Sequence, residues 1–278
     1  MSRSLRTWQN SCITRALEHF TVTPHFFCQA TPGAGKTRMA AELASRLLDQ
    51  DRIDLVLCFA PSCQVVEGFR STFAAVLGRR LDGQIGAVGA AYTYQAMEYR
   101  DEGFWQLLDD YRVLVVFDEI HHCAGHDPLL SNAWGQQILH RIQDRAAFTL
   151  ALSGTPWRSD DKAIALARYS SPEGLLICDY RYGLKDAIAD CVCRSPRIVL
   201  LDNQKVKLTE QLGADSSVKL FPSIAKLLGE SPVTYEELLR HDEVINPILD
   251  LGCSKLNELR QIKRDAAALV VATDIEHA

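Results

Sequence analysis

The sequence predicts an α/β fold in which a parallel sheet carries helices on both faces. Short apolar runs alternate with longer stretches of helical spacing along most of the first 200 or so residues. The runs are almost continuously apolar, as strands buried on both faces are. Loops with functional residue types follow the first four runs, and such sheets bind ligands beyond the carboxyl ends of their strands.

The predicted elements follow one another in a regular order along the chain. The predicted strands are His25–Ala30, Leu55–Ala60, Val113–Phe117, Phe148–Ser153 and Ile198–Leu201. Stretches with helical spacing lie between them, among them Thr37–Leu48 and Trp105–Tyr111. This alternation is typical of βαβ units and predicts a parallel sheet.

Composition and charge exclude several classes of protein. The chain has 278 residues, 47% of them hydrophobic and 23% charged, which is globular composition. The formal net charge of -5 argues against a strongly basic protein that coats nucleic acid. Nine cysteines, an odd number, and a polar N-terminus argue against a secreted disulfide scaffold. These features, with no apolar run of membrane-spanning length, predict a soluble cytoplasmic protein without a membrane partner.

A glycine-containing loop, Ala30–Thr37, follows the first predicted strand. Gly33 and Gly35 permit a tight turn whose N–H groups point toward phosphate oxygens, and the following helix adds its positive end. Lys36 is placed to reach the β- and γ-phosphates, and the Thr37 hydroxyl to bind Mg²⁺. The predicted nucleotide-binding residues of this loop are Thr31, Pro32, Gly33, Ala34, Gly35, Lys36, Thr37 and Arg38.

An acidic pair, Asp118 and Glu119, follows the buried run Val113–Phe117. Phosphoryl transfer needs a carboxylate for Mg²⁺ and a group that orients the attacking water, both beside the phosphates. We therefore expect Asp118 to hold Mg²⁺, and Glu119 to act with Lys36 as a catalytic residue. The alternative is an ordinary turn with solvated acids, and the presence of the phosphate loop upstream argues against it.

These two motifs together resemble superfamily 2 helicases and translocases of the DExH type. His121 and the sequence Ser-Gly-Thr-Pro at Ser153–Pro156 are closer to restriction-subunit-like relatives than to DEAD-box RNA helicases. The resemblance implies a RecA-like P-loop NTPase motor domain that uses ATP and Mg²⁺. It also implies a nucleic-acid partner, DNA rather than RNA, and a second RecA-like domain in the same protein or in a partner subunit.

Further segments match the family's order and carry its residue roles. Leu5–Gln9 is similar to the adenine-reading segment, which implies that Arg6 and Gln9 contact the base. The resemblance implies that His121, Ser153, Gly154 and Thr155 couple hydrolysis to movement. The implied nucleic-acid contacts are Pro61, Ser62, Thr93, Tyr94 and Gln95.

The chain is expected to divide into three parts. Residues 1–201 would form the first RecA-like ATP-binding domain, and residues 202–264 a helical connector. An apolar run, Ala266–Thr273, predicts the first strand of a truncated second RecA-like domain at residues 265–278. In the relatives the second domain supplies arginine fingers, so we expect this chain alone to bind ATP with weak turnover.

Three functions remain open from the sequence. The first is an ATP hydrolase, the motor domain of a DNA helicase or translocase. The second is a non-motor nucleotide-binding module that acts through a partner, and the third is an inactive fragment. A dense group of metal-ligand types, His121, His122, Cys123 and His126, is a weak zinc candidate because His121 already has a family role.

Overall fold

The computed structural model describes residues 4–125, 132–160, 162–196, 206–212 and 215–274. The chain divides into two compact units, Met1–Ser195 and Pro196–Ala278. The helices of the first unit are α1 (Thr7–His19), α2 (Lys36–Asp49), α3 (Cys63–Leu77), α4 (Glu102–Trp105), α5 (Leu107–Asp110), α6 (Ala133–Gln137) and α7 (Leu184–Ala189). Its strands are β1 (His25–Ala30), β2 (Leu55–Ala60), β3 (Gly89–Thr93), β4 (Val113–Phe117), β5 (Phe148–Ser153), β6 (Arg168–Tyr169), β7 (Leu176–Ile177) and β8 (Tyr180–Tyr182).

Six of these strands form one sheet in the order β3-β2-β4-β5-β1-β8. Every neighbouring pair is parallel. The predicted parallel α/β sheet is therefore confirmed, and four of the predicted strands coincide with β1, β2, β4 and β5. The fifth, Ile198–Leu201, lies outside the described residues.

The sheet has a hydrophobic core on each face. Alternate residues of β4 enter opposite cores, with Leu114 and Val116 on the face covered by α1, α2 and α3. Val113, Val115 and Phe117 enter the other core, which also contains Trp105 of α4. This period of two explains why both faces of the strand are apolar in sequence. It also confirms that helices cover both faces of the sheet.

The second unit begins with an antiparallel hairpin. Strands β9 (Val206–Leu212) and β10 (Asp215–Phe221) pair along their whole length. Helices α8 (Ile224–Glu230), α9 (Tyr235–Leu239) and α10 (Asp242–Ile262) follow. The expected connector at 202–264 is therefore not helical throughout, since β9 and β10 pair with each other before the three helices. None of the helices in the described ranges is long and apolar enough to cross a membrane.

The apolar run near the end of the chain does not form the strand that we predicted at Ala266–Thr273. Residues 266–272 have no regular secondary structure, and Leu269 and Val271 are 88% and 83% exposed. A strand requires a neighbour to satisfy its backbone N–H and C=O groups. In the described part of the second unit β9 and β10 pair with each other, and no strand pairs with this run.

Candidate functional site

The predicted site segments all lie at one edge of the sheet. Because the six strands are parallel, their carboxyl ends meet at the same edge. The phosphate loop follows β1, the acidic pair follows β4, and the Ser-Gly-Thr-Pro loop follows β5. Strand β5 lies between β4 and β1 in the sheet, so its loop lies between the other two.

The loop after β1 has the backbone of a phosphate cradle. Gly33 and Gly35 have φ angles of +76° and +95°, a left-handed region that residues with side chains rarely adopt. A Cβ atom at Gly35 would also lie 2.9 Å from the side-chain amide nitrogen of Gln9. Helix α2 begins at the next residue, Lys36, and directs its free N–H groups into the loop. The loop is therefore shaped to receive an anion.

Lys36 forms a direct ion pair with Glu119. Its Nζ atom lies 3.1 Å from Glu119 Oε1 and also donates to the carbonyl of Ala30 at 3.3 Å. Lys36 is only 8% exposed, so its charge requires partners. The other carboxylate oxygen of Glu119 accepts a hydrogen bond from the Gly154 N–H at 3.2 Å. The fold thus brings both predicted catalytic residues into contact.

Asp118 has a buried carboxylate oxygen without a hydrogen-bond partner. Within the described ranges, no group donates a hydrogen bond to the buried Oδ1 atom. Burial raises the pKa of Asp118 to about 6, although the charge of Lys36 opposes the shift. An orphaned buried oxygen requires an explanation, and oxygen ligands are the ones that Mg²⁺ prefers. With the half-buried Thr37 in the first turn of α2, Asp118 supplies a donor set that fits this ion.

Replacing Asp118 with asparagine is expected to stabilise the folded protein at neutral pH. The ordinary pKa of this carboxyl is 3.8, whereas burial raises the pKa to about 6 in the folded state. The folded protein binds the proton more tightly than the unfolded chain, so ionising Asp118 lowers the free energy of unfolding as the pH rises between these two values. We expect Asp118→Asn to raise that free energy by about 1–3 kcal/mol near pH 7 and by much less near pH 4. Denaturant titrations at both pH values measure the difference, and an unchanged or lower value near pH 7 would contradict it.

The predicted coupling residues form a hydrogen-bonded group beside Glu119. The His121 Nδ1 atom lies 2.9 Å from Ser153 Oγ and 3.4 Å from a Glu119 oxygen. Burial, aided by the neighbouring His122, lowers the pKa of His121, which favours the neutral imidazole. The backbone N–H of Thr155 donates to the same Ser153 hydroxyl at 3.2 Å.

The β5 loop also approaches the phosphate loop closely. A Cβ atom at Gly154 would lie 2.8 Å from the Cδ atom of Pro32, so a side chain there would push the two loops apart. The same Gly154 N–H donates to Glu119. A movement of the β5 loop would therefore reach both the phosphate loop and the acidic pair.

Arg6 and Gln9 anchor the start of α1 to the phosphate loop. The Gln9 side chain donates to the Gly35 carbonyl at 2.9 Å and accepts from the Arg6 backbone N–H at 2.8 Å. The Arg6 guanidinium donates to the carbonyl of Ala34. Trp8 packs in the core, as its apolar character favours, and stacks on another aromatic ring at 4.9 Å. Both predicted adenine-reading residues therefore lie beside the phosphate loop.

Two other groups of predicted residues lie at the edges of this site. Arg38 pairs with Glu42 on the surface of α2, at 3.1 Å. Ser62 is exposed and caps α3 by accepting the Val65 N–H. Pro61 and Thr93 are half-buried, and Gln95 is exposed. The four predicted nucleic-acid contacts in this group, Pro61, Ser62, Thr93 and Gln95, therefore offer surface at the ends of β2 and β3.

Tyr94 differs from the other predicted nucleic-acid contacts. It is fully buried, so the structure leaves no surface of this side chain for a strand of nucleic acid. Its hydroxyl instead donates to the backbone carbonyl of Asp118 at 2.7 Å. The alternation of side chains around Tyr92–Gln95 turns this residue inward, which motif resemblance alone does not reveal.

Arg158 is a site residue that the sequence interpretation missed. Its guanidinium donates to the backbone carbonyl of His121 and to both carboxylate oxygens of Asp160, at 2.8 and 2.7 Å. The sequence alone indicates a solvated helix start for this residue. The signal that could have found it is its position two residues after Ser153–Pro156.

The zinc candidate has no geometric support in the described residues. His126 lies outside them, and among the residues described no three His, Cys, Asp or Glu side chains converge on one point. The rings of His121 and His122 lie 4.5 Å apart, and the first is held by Ser153.

Comparison with known families identifies the family to which this chain belongs. A family profile described as the res subunit of type III restriction enzymes matches residues 2–158. This match covers more than half of the chain and includes the phosphate loop, the acidic pair and the β5 loop. The chain belongs to this restriction res-subunit family. The predicted membership of superfamily 2, and a helicase-type motor domain, are thereby confirmed.

Two uncharacterized mycobacterial proteins are similar to nearly the whole chain. An uncharacterized protein of Mycobacterium leprae is 28% identical over 98% of the chain and 46% of its own length. An uncharacterized protein of Mycobacterium tuberculosis is 29% identical over 97% of the chain and 45% of its own length. The chain spans about half the length of the curated relatives it matches.

A solved structure supports the fold of this res-subunit family member. It is a nuclease-deletion mutant of the Type ISP restriction-modification enzyme LlaGI in complex with a DNA substrate mimic. The TM-score is 0.50 and the identity 15%, over 68% of this chain and 21% of that one. The likeness confirms the RecA-like α/β fold.

Proposed function

We propose that the chain is the ATP-binding motor domain of a superfamily 2 DNA helicase or translocase. The observation that carries the proposal is the 3.1 Å contact between Lys36 and Glu119, beside a buried Asp118 oxygen without a partner. This ion pair joins the lysine of the phosphate loop to the proposed catalytic acid, and phosphate oxygens would compete with Glu119 for the Lys36 ammonium. Membership of the res-subunit family supports the same function.

In the proposed chemistry, phosphate oxygens of the nucleotide replace Glu119 as the partner of Lys36. The N–H groups of Gly33–Thr37 bind the phosphates, and Lys36 moves from Glu119 to the β- and γ-phosphate oxygens. The freed Glu119 carboxylate orients the attacking water and accepts its proton. Mg²⁺ held by Thr37 and Asp118 would offset the charge that develops on the phosphates.

Recognition of adenine is proposed for Arg6 and Gln9. An amide side chain offers both the donor and the acceptor that an adenine edge requires. The Gln9 amide donates to the Gly35 carbonyl and accepts from the Arg6 N–H. Binding of adenine would therefore replace the hydrogen bond between Gln9 and the phosphate loop. Base recognition and the shape of the loop are thus linked in this proposal.

DNA is the proposed nucleic-acid partner. The res-subunit family and the DNA substrate mimic bound by the LlaGI enzyme support DNA over RNA. A second RecA-like domain, in the same protein or in a partner subunit, is proposed to supply the missing arginine, because Asp160 and the His121 carbonyl already hold Arg158. The nine free cysteines fit the cytoplasm as the site of action.

Hydrolysis by this chain alone is expected to be slow and to respond to DNA. An arginine finger contributes about 10³–10⁵ in rate, so we expect a rate constant of about 0.01 per second or less, against a median near 10 per second for enzymes. Single-turnover hydrolysis of labelled ATP, with protein in excess, measures it with duplex DNA, single-stranded DNA or RNA of one sequence.

The same experiment separates the alternatives. Stimulation by DNA above that by RNA supports the motor domain. Binding of ATP without stimulation by any nucleic acid would instead favour the non-motor module. Binding of ATP with neither turnover nor a partner would favour the inactive fragment, and a chain that binds no ATP would contradict all three functions.

A further inference from the structure

The hydroxyl of Tyr94 contacts the backbone of the acidic pair from a neighbouring loop. Tyr94 begins the turn after β3, and its hydroxyl donates to the Asp118 carbonyl at 2.7 Å. Its ring stacks on Trp134 with centroids 5.5 Å apart, which fixes its direction. Strands β3 and β4 do not pair with each other, since β2 lies between them. This bond therefore bridges two loops that the sheet itself does not join.

The peptide that Tyr94 contacts controls both carboxylates. It links Asp118 to Glu119, and Glu119 has a φ angle of +49°, which residues with a Cβ atom seldom adopt. The Asp118 N–H donates to the Phe59 carbonyl at 2.9 Å. A rotation of this peptide would move the Asp118 carboxylate and redirect the Glu119 side chain.

The residues next to Tyr94 face outward. Gln95 is exposed and Thr93 is half-buried, and both belong to the proposed nucleic-acid contacts. Tyr94 thus lies between a surface turn and the acidic pair, with a rigid buried ring and one hydroxyl. Burial raises the pKa of Tyr94, so the hydroxyl remains a donor at neutral pH.

We propose that Tyr94 is a positioning residue that holds the Asp118–Glu119 peptide and relays nucleic-acid contact at the turn after β3 to these two carboxylates. The relay rests on the proposed function, whereas the positioning rests on the contacts within the chain. Nucleic acid at Thr93 and Gln95 would shift the turn, and the Tyr94 hydroxyl would transmit this shift to the peptide. A buried carbonyl that loses its donor is free to reorient, so the bond is the element that transmits the change.

The variant Tyr94→Phe removes the hydroxyl and keeps the ring that fills the core. We expect its single-turnover hydrolysis rate to fall about 10- to 100-fold, because small displacements of catalytic groups have effects of this size. The ratio of rates with and without DNA should fall toward 1. The Mg²⁺ concentration for half-maximal binding of an ATP analogue should rise about threefold or more, since the Asp118 carboxylate moves.

The matched control is Tyr92→Phe, two residues earlier. The Tyr92 ring packs against Phe104 and under the Arg100 guanidinium, at 5.7 and 4.0 Å. In the described part of the chain its hydroxyl makes no hydrogen bond that the structure records, so its loss should change all three quantities by less than about twofold.

Each outcome decides part of the proposal. A Tyr94→Phe variant that unfolds at a lower temperature yet matches wild type in all three quantities would overturn it, because the hydroxyl would be structural only. A changed rate and Mg²⁺ midpoint with an unchanged DNA ratio would overturn the relay and retain the positioning. If DNA and RNA fail to stimulate the wild type, the proposed function and the relay fail, and the unstimulated rate and Mg²⁺ midpoint still decide the positioning.

Discussion

The variant Lys36→Ala is expected to bind Mg-ATP about 100- to 1000-fold more weakly than the wild type. Lys36 is buried at the start of α2, next to the phosphate loop, and its ammonium contacts the Ala30 carbonyl and the Glu119 carboxylate. Hydrogen bonds to charged groups contribute about 1.5–3 kcal/mol each, and the lysine reaches two phosphates. Two such bonds contribute about 3–6 kcal/mol, and the lower half of this range corresponds to the stated loss of affinity, since about 1.4 kcal/mol is a factor of ten.

We expect the rest of the site to keep its structure when Lys36 is replaced with alanine. Glu119 would lose the partner at 3.1 Å, but it is partly exposed and keeps the hydrogen bond from Gly154. Calorimetric titration with Mg-ATP measures the affinity directly. The exposed Lys185→Ala is the matched control and should bind as the wild type does. Equal affinities for the two variants would remove Lys36 from the phosphate site.

The variant Glu119→Gln is expected to lose hydrolysis while it keeps or improves nucleotide binding. The amide has the size of the carboxylate but accepts no proton, and a positioned base contributes about 10²–10⁴-fold to the rate. The structure adds a second effect, because Glu119 forms an ion pair with Lys36 and would compete with phosphate oxygens for its ammonium. Without that ion pair Lys36 is free for the nucleotide, so the affinity for Mg-ATP should rise rather than fall.

The two effects are measured separately. Single-turnover hydrolysis gives the rate, and calorimetry gives the dissociation constant of Mg-ATP for the same preparation. The exposed Glu98→Gln is the control for removal of one negative charge and should change neither quantity. Hydrolysis by Glu119→Gln at the wild-type rate would assign the water to another residue, and weaker binding would show that the ion pair supports the loop.

The sequence predicts those strands whose own residues are apolar enough to require burial on both faces of the sheet. Strands β1, β2, β4 and β5 are apolar on both faces, so their burial is evident in the sequence. Strand β3, Gly-Ala-Ala-Tyr-Thr, is short and rich in small residues, and it becomes a strand through its register with β2. Strand β8 depends in the same way on β1.

The candidate site shows the same division. Gly33, Lys36 and Asp118 are predictable because the residue type alone determines the role: glycine permits the turn, the ammonium binds phosphate and the carboxylate binds Mg²⁺. Tyr94 and Arg158 act on the backbone carbonyls of Asp118 and His121. Every residue has a carbonyl, so a sequence contains no sign of which one will be an acceptor. The hairpin of β9 and β10 and the unpaired run at residues 266–272 likewise depend on partners that the sequence does not specify.

The most direct test of the central claim is whether the phosphate loop and the acidic pair bind one Mg-nucleotide together. Calorimetric titration with a non-hydrolysable ATP analogue, in Mg²⁺ and then in EDTA, measures this for the wild type and for Asp118→Ala. We expect one site per chain, an affinity at least about tenfold weaker in EDTA, and no Mg²⁺ dependence in Asp118→Ala. Binding that is equally tight in EDTA, or a variant that responds to Mg²⁺ as the wild type does, would contradict it.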